Sequence, residues 1–190
     1  GMPDRISSHV SYGKYYDIEV EDDVTAYMEY DNGTTGVYIT STGEAPGTNR
    51  LEISCDMGKI VVENDKMIFW RNTVSEREFN KTNTEIFAKP ECWKCEIPTK
   101  PANKTPHALI MQDFAQSLIN GTPLLAPGEE GINGLTISNA IHLSSWTGKT
   151  VDVKNFPHDK FYELLKEKIA SSNGDKKVVK KQVGDTSGSY

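Results

Sequence analysis

Basic residues are in the minority in this chain: 21 Lys and Arg stand against 27 Asp and Glu, a net charge of -6, and the cations form no stripe. Phosphate binding needs clustered Lys and Arg, so this balance argues against a nucleic-acid partner. Missing too is any run of about 18 apolar residues, and the start shows no basic segment followed by an apolar one. Neither a membrane span nor a signal peptide is expected, which makes the cytoplasm the expected compartment. Self-sufficient catalytic signatures are absent as well. There is no G-x-G-x-x-G after a strand, no G-x-x-x-x-G-K-[ST], no H-E-x-x-H and no G-x-S-x-G.

What the chain has is an ordinary globular composition, 36% apolar and 25% charged over 190 residues. That suffices for one domain with its own core, expected over residues 1–170. Gly1 ahead of Met2 reads as the remnant of a cleaved tag, so Met2 is the expected start of the reading frame. The stretch from Pro106 to Val151 organises the rest. Ile110, Phe114 and Leu118 recur at i, i+4 and i+8, a stripe that predicts a helix ended by Asn120-Gly121. A second helix is predicted after Pro127-Gly128, with Glu129 and Glu130 at its positive end, running to Trp146 before Gly148. This pair is expected to lie on a sheet formed by the residues before it.

Those earlier residues read as strands. Ile6 to about Tyr16 is strand-like, and Val24, Ala26, Met28 and Tyr30 alternate with polar neighbours. Asp31-Asn32-Gly33 supplies positive-φ residues for a hairpin, with Val37 and Ile39 on the return. Leu51, Ile53 and Cys55 lead to a turn at Asp56-Met57-Gly58; Ile60 to Glu63 and Met67 to Trp70 flank another at Asn64-Asp65. Between residues 74 and 98 one further strand is expected, where Trp93, Cys95 and Ile97 alternate with Lys94 and Glu96. Residues 100–105 form a polar connector. Residues 150–153 are a short extended piece, and Pro157 to Ile169 a third helix. Residues 171–190 read as a tail or exchanged arm. Strands first and helices after give an α+β domain: an open, mostly antiparallel sheet with helices packed on one face. Tyr27, Tyr38 and Thr40 are assigned to the opposite face, where a partner subunit is the expected cover.

Few motifs carry chemistry. The glycines of Gly128-Glu129-Glu130-Gly131 open a helix, but two carboxylates in its first turn would repel a phosphate, so capping and close packing are expected there. Cys92-Trp93-Lys94-Cys95 is a C-x-x-C; on a strand its thiols point to opposite faces, and no second pair completes four metal ligands. Structural cysteines are expected, with metal or redox use as the rival. His142 reads as a packed, hydrogen-bonded histidine, and His9 and His158 as surface residues. His107, at a helix start beside a loop, is free to face a cleft. The loop Gly43 to Arg50 gathers the hydrogen-bonding groups of Glu44, Thr48, Asn49 and Arg50 between two strands. Asn-x-Thr triplets at Asn32, Asn80, Asn103 and Asn120 lack a secretory context and read as chance.

Three separated stretches in order, VEDDVTAYMEYDNGTTGVYITSTGEAPGTNRLEISCDMGKIVVEN, DFAQSLINGTPLLAPGEEGINGL and HLSSWTGKTVDV, closely resemble the C-terminal domain of the Gfo/Idh/MocA oxidoreductases, the glucose-fructose oxidoreductase and inositol dehydrogenase family. The resemblance covers roughly residues 6 to 170. It implies a glyceraldehyde-3-phosphate-dehydrogenase-like C-terminal domain that supplies a substrate wall and an oligomer interface. In that family a separate N-terminal Rossmann domain binds NAD or NADP.

The departures matter as much. This sequence holds no nucleotide-binding domain and no Glu-Lys-Pro segment, whose lysine is the family's acid/base; Ala88-Lys89-Pro90 is no substitute. The helix carrying an Asp and, four residues later, a His is absent too. The resemblance therefore implies no catalytic or cofactor-binding residue in this chain, and no hydride transfer by it alone. It does imply substrate-side roles for Glu44, Asn49, Arg50 and His107, as hydroxyl-binding groups forming half a pocket. The partners expected are further copies of the chain, through the open sheet face, and a separate Rossmann-domain chain. The rival from another class is a stand-alone sugar- or protein-binding scaffold module.

Overall fold

The computed structural model describes residues 1–98 and 106–172. They fall into two compact units, Gly1–Gly43 with Glu129–Tyr190, and Glu44–Gly128. Residues 173–190 of the expected tail and residues 100–105 of the connector lie outside the described residues.

The first unit is built on three antiparallel strands, β1 (Arg5–Tyr12), β2 (Glu21–Glu29) and β3 (Thr35–Ser41), with a two-residue strand, β8 (Val151–Asp152), on the far side of β1. The hairpin between β2 and β3 closes on Tyr30 and Thr34, and of its loop residues Gly33 is the one at positive φ, 86°. That is a type I turn followed by a left-handed residue, so Asn32 need not adopt the strained region. Register sets the faces. Ser8 pairs with Ala26 and Ala26 with Tyr38, while Val24 pairs with Thr40. Tyr38 and Thr40 thus share a face with the buried Val24 and Ala26, correcting their assignment to the open side. The open side carries Tyr27 opposite Val37, and Thr25 opposite Ile39.

Helix α3 (Gly131–Thr147) covers the inner face. Its Ala140, Ile141 and Leu143 close a core with Ile6, Val24, Ala26, Val151, Val153 and Phe156. Two serines of this helix then solve a backbone problem. β8 pairs only Arg5 and Ile6 of β1, which leaves the rest of that edge without a strand. Ser144 Oγ accepts the Ser8 N–H at 3.0 Å, Ser145 Oγ accepts the Val10 N–H at 3.1 Å, and Ser8 Oγ donates to the Ile141 carbonyl at 2.6 Å. Helix α4 (His158–Ala170) follows, its Phe161 stacked on Trp146 with centroids 5.4 Å apart.

The second unit is another four-stranded antiparallel sheet: β4 (Arg50–Cys55), β5 (Gly58–Glu63), β6 (Lys66–Asn72) and β7 (Cys92–Ile97), in that order. Asn64 and Asp65 both take positive φ, 50° and 57°, in the two-residue hairpin expected of them. Gly58, at φ 138°, lies against β6 so closely that a Cβ would meet the Trp70 carbonyl oxygen at 1.9 Å. Cys92 and Cys95 are three apart on β7 and so fall on opposite faces, as their spacing predicts. Helix α1 (Glu76–Thr82) was not foreseen, although Ser75-Glu76-Arg77-Glu78 has the capping-box form and the Ser75 Oγ accepts the Glu78 N–H at 3.0 Å.

The α+β class stands, with mostly antiparallel strands ahead of the main helices. Two expectations change. Strands form two sheets of four rather than one, because the Gly- and Pro-bearing loop at 42–49 is too long and too irregular to act as a hairpin turn. The helix pair divides as well: α2 (Pro106–Asn120) belongs to the second unit and α3 to the first. Only α3 acts as a sheet cover here, while α2 leaves Met111 68% and Leu118 73% exposed.

Replacing Ser144 with Ala should strand the buried Ser8 N–H and destabilise the first unit by about 1–3 kcal/mol in urea unfolding. Replacing Met111 with Ser on α2 should change stability by less than about 0.5 kcal/mol, because the side chain loses little contact.

Candidate functional site

The four residues that the resemblance marks as substrate-side all lie in the second unit, and all are exposed. Glu44 closes its own loop by accepting the Thr48 hydroxyl at 2.8 Å. Asn49 makes no side-chain hydrogen bond among the described residues. Arg50 opens β4 and is already engaged: its guanidinium donates to Glu63 at 2.8 Å and to Glu52 at 2.5 Å, and Lys59 reaches Glu52 from the next strand at 3.1 Å. The two carboxylates raise the Arg50 pKa, Glu52 most, while Arg50 and then Lys59 hold the Glu52 carboxyl below its usual range. Two of the five guanidinium N–H donors are accounted for, which leaves capacity for a hydroxyl. Arg50 borders a hollow of about 210 Å³ with Val61, Glu63, Asn64, Lys66, Ile68 and Trp70; Glu44, Asn49 and His107 are not among its lining residues. His107 sits in the first turn of α2 as expected. The structure thus places all four at the surface of one unit without gathering them into one cavity.

Faces of this sheet divide the labour. On the Arg50 side, Glu52, Lys59, Glu63 and Lys66 alternate with Val61, Ile68 and Trp70, and Val61 is buried beneath the charges. Leu51, Val62, Met67 and Ile97 form one row across the other face, and Ile53, Ile60, Phe69 and Cys95 the next.

Sequence reasoning overlooked a second cluster, in the first unit. His142 is packed and hydrogen-bonded, as expected, but its partners are specific. Nδ1 lies 2.9 Å from the Tyr12 hydroxyl and Nε2 3.8 Å from a Glu21 carboxylate oxygen, and the ring tilts against Trp146 at 5.5 Å. Burial pushes the His142 pKa down, with the Glu21 charge opposing it, and burial pushes the Tyr12 hydroxyl up to about 12. The His-x-x-x-Trp spacing, one helical turn, was the available signal.

The glycine-bearing helix start, Gly128–Glu130, presents two carboxylates where a pyrophosphate would need bare N–H groups, and it follows no strand. Among the described residues no group of three His, Cys, Asp or Glu could hold a metal ion.

The fold, two open and mostly antiparallel sheets with helices, is of the α+β class. Residues 1–61 match the family model described as the GFO/IDH/MocA C-terminal domain. Comparison with curated protein sequences gives no match. Solved structures share the fold. Aldose-aldose oxidoreductase from Caulobacter crescentus, complexed with glycerol, superposes with a TM-score of 0.60 at 15% identity, over 80% of this chain and 41% of that one. UDP-N-acetylglucosamine 3-dehydrogenase from Acidithiobacillus ferrooxidans gives 0.58 at 15% identity, over 75% and 42%. An oxidoreductase from Thermotoga maritima gives 0.57 at 22% identity, over 81% and 39%. The chain spans about two-fifths of the length of these structures. In sequence over residues 1–61 and in fold over about 80% of its length, it matches the C-terminal domain of the Gfo/Idh/MocA oxidoreductases.

The buried imidazole gives a pH test. With its pKa depressed in the fold, protonation favours the unfolded chain, so stability present above the ordinary histidine value of 6.5 is lost as pH falls through and below it. Thermal melting should show the midpoint falling between pH 7.5 and 5.5 in the wild type, and a flatter profile in His142→Gln.

Proposed function

We propose that this chain is the substrate-binding and oligomer-forming domain of an NAD(P)-dependent oxidoreductase acting on sugars or polyols, without hydride-transfer activity of its own. The observation that carries the reading is the apolar face of the β4–β7 sheet, where Leu51 is 56% and Trp93 61% exposed. Contiguous apolar surface of that kind marks an interaction site, and a second copy of the chain is its cover in this reading. Substrate contact falls to Glu44, Asn49, Arg50 and His107. The polyhydroxylated compounds named for the similar structures, glycerol and a UDP-amino sugar, support that class of substrate. NAD or NADP is then held by a Rossmann domain, in the same polypeptide or as a partner chain. Three exposed free cysteines suit the reducing cytoplasm. A second reading, a stand-alone binding or scaffold module, is favoured by the loop residues Ile86 and Phe87, 85% and 98% exposed.

Light scattering should find a dimer or larger assembly, and Trp93→Glu should shift it toward monomer; a clean monomer at high concentration would remove the assembly part. Titration of the chain with NADH, followed by nucleotide fluorescence, should show no saturation below millimolar concentration. Tight binding would overturn the division of labour. A monomer that saturably binds glucose would favour the stand-alone module instead.

A further inference from the structure

Within the first unit, a cleft of about 900 Å³ opens between the end of β1, residues 18–21, α3 and α4. That volume is in the range that holds a small organic ligand. One wall is apolar, formed by Leu135, Leu165 and Ile169 with the stacked rings of Trp146 and Phe161. Over this wall stands a cation. Lys168 Nζ lies 5.1 Å from the Trp146 ring centroid and 5.8 Å from that of Tyr12, and it has no carboxylate partner among the described residues. The rings hold this exposed ammonium over the apolar wall by cation–π attraction, where an arriving anion can reach it.

Two acids also line the cleft, each with a partner of its own. Glu19 accepts the Ser172 hydroxyl, and Glu21 faces His142, which in turn is bonded to Tyr12. Two carboxylates oppose a second negative charge on the same ligand, and the Lys168 ammonium opposes a ligand cation on the apolar wall. Stacking of a sugar ring is disfavoured too, since Trp146 has Phe161 against one side and Lys168 over the ring. What remains complementary is a single anionic group joined to an apolar body.

We propose that this cleft is a second ligand site, taking a monocarboxylate whose carboxylate pairs with Lys168 and whose apolar body lies along Trp146, Phe161 and Leu165. It lies in the unit that does not contain Arg50 and His107, and it stands whether or not the chain serves an oxidoreductase.

Calorimetric titration of the full chain with 4-phenylbutyrate tests the site. Saturable binding at one equivalent is expected, weakened about tenfold or more in Lys168→Gln, the scale of one lost charge-assisted contact, and largely retained in Lys168→Arg. The amine of the same body, 4-phenylbutylamine, should not bind. In NMR the Trp146 indole N–H should shift on addition of ligand, while those of Trp70 and Trp93 stay in place. The proposal is overturned by any of four outcomes: no binding up to millimolar carboxylate, equal affinity in a folded Lys168→Gln variant, equal or tighter binding of the amine, or shifts confined to Trp70 or Trp93.

Discussion

The first unit depends on how one strand edge is closed. β8 is two residues long and leaves most of the outer edge of β1 without a ladder partner. An open edge there would strand buried N–H groups beside the core, at a cost comparable to the net worth of several good hydrogen bonds. Ser144 and Ser145 supply the missing acceptors from a helix instead of a strand. This explains how a helix with Ala140, Ile141 and Leu143 in the core can hold a polar residue only 2% exposed at Ser144. It also fixes the docking of α3, because its hydroxyls must meet specific backbone groups rather than simply cover an apolar face. With α3 fixed, His142 and Trp146 are carried to the end of β1, where Tyr12 and one side of α4, from Phe161 to Ile169, complete the cleft.

The second unit is held by a different balance. One face of its sheet is laced by charges, with Arg50 shared between Glu52 and Glu63. Such exposed pairs contribute little to stability and are screened by salt. Their effect is to pre-orient Arg50, which has donors left over. The other face carries two apolar rows and is covered only in part. A sheet finished on one side and open on the other is the form expected of a surface that meets another molecule.

Much of this architecture was legible in the chain. Asn64-Asp65 dictates a two-residue hairpin, Gly148 ends α3, and the alternation from Val24 to Met28 fixes a half-buried strand, because each of these signals acts over a few residues. The capping box at Ser75 was equally local and was passed over, since the helix it starts has no apolar stripe. Tyr38 and Thr40 show where local signals fail. Their own alternation does not say which face is inner; pairing with Ala26 and Val24 does. For the candidate site, the residue types of the Glu44 to Arg50 loop and their surface position were readable, but the engagement of Arg50 by Glu63, thirteen residues away, was not.

By itself the sequence determined the local chemistry: where strands turn, where helices begin and end, the acid-rich start of the second helix, and the pattern shared over residues 1–61 with Gfo/Idh/MocA C-terminal domains. Tertiary structure alone decided that the strands form two sheets, that α2 and α3 belong to different units, and that Tyr12, Glu21, His142, Trp146 and Lys168 meet around one cleft. The reason is physical. Turns and caps are set by bonds between near neighbours, whereas sheet membership depends on which strands pair across intervening loops, and cleft walls on contacts between residues more than a hundred positions apart, such as Tyr12 with His142, whose spacing leaves no periodic trace in the chain.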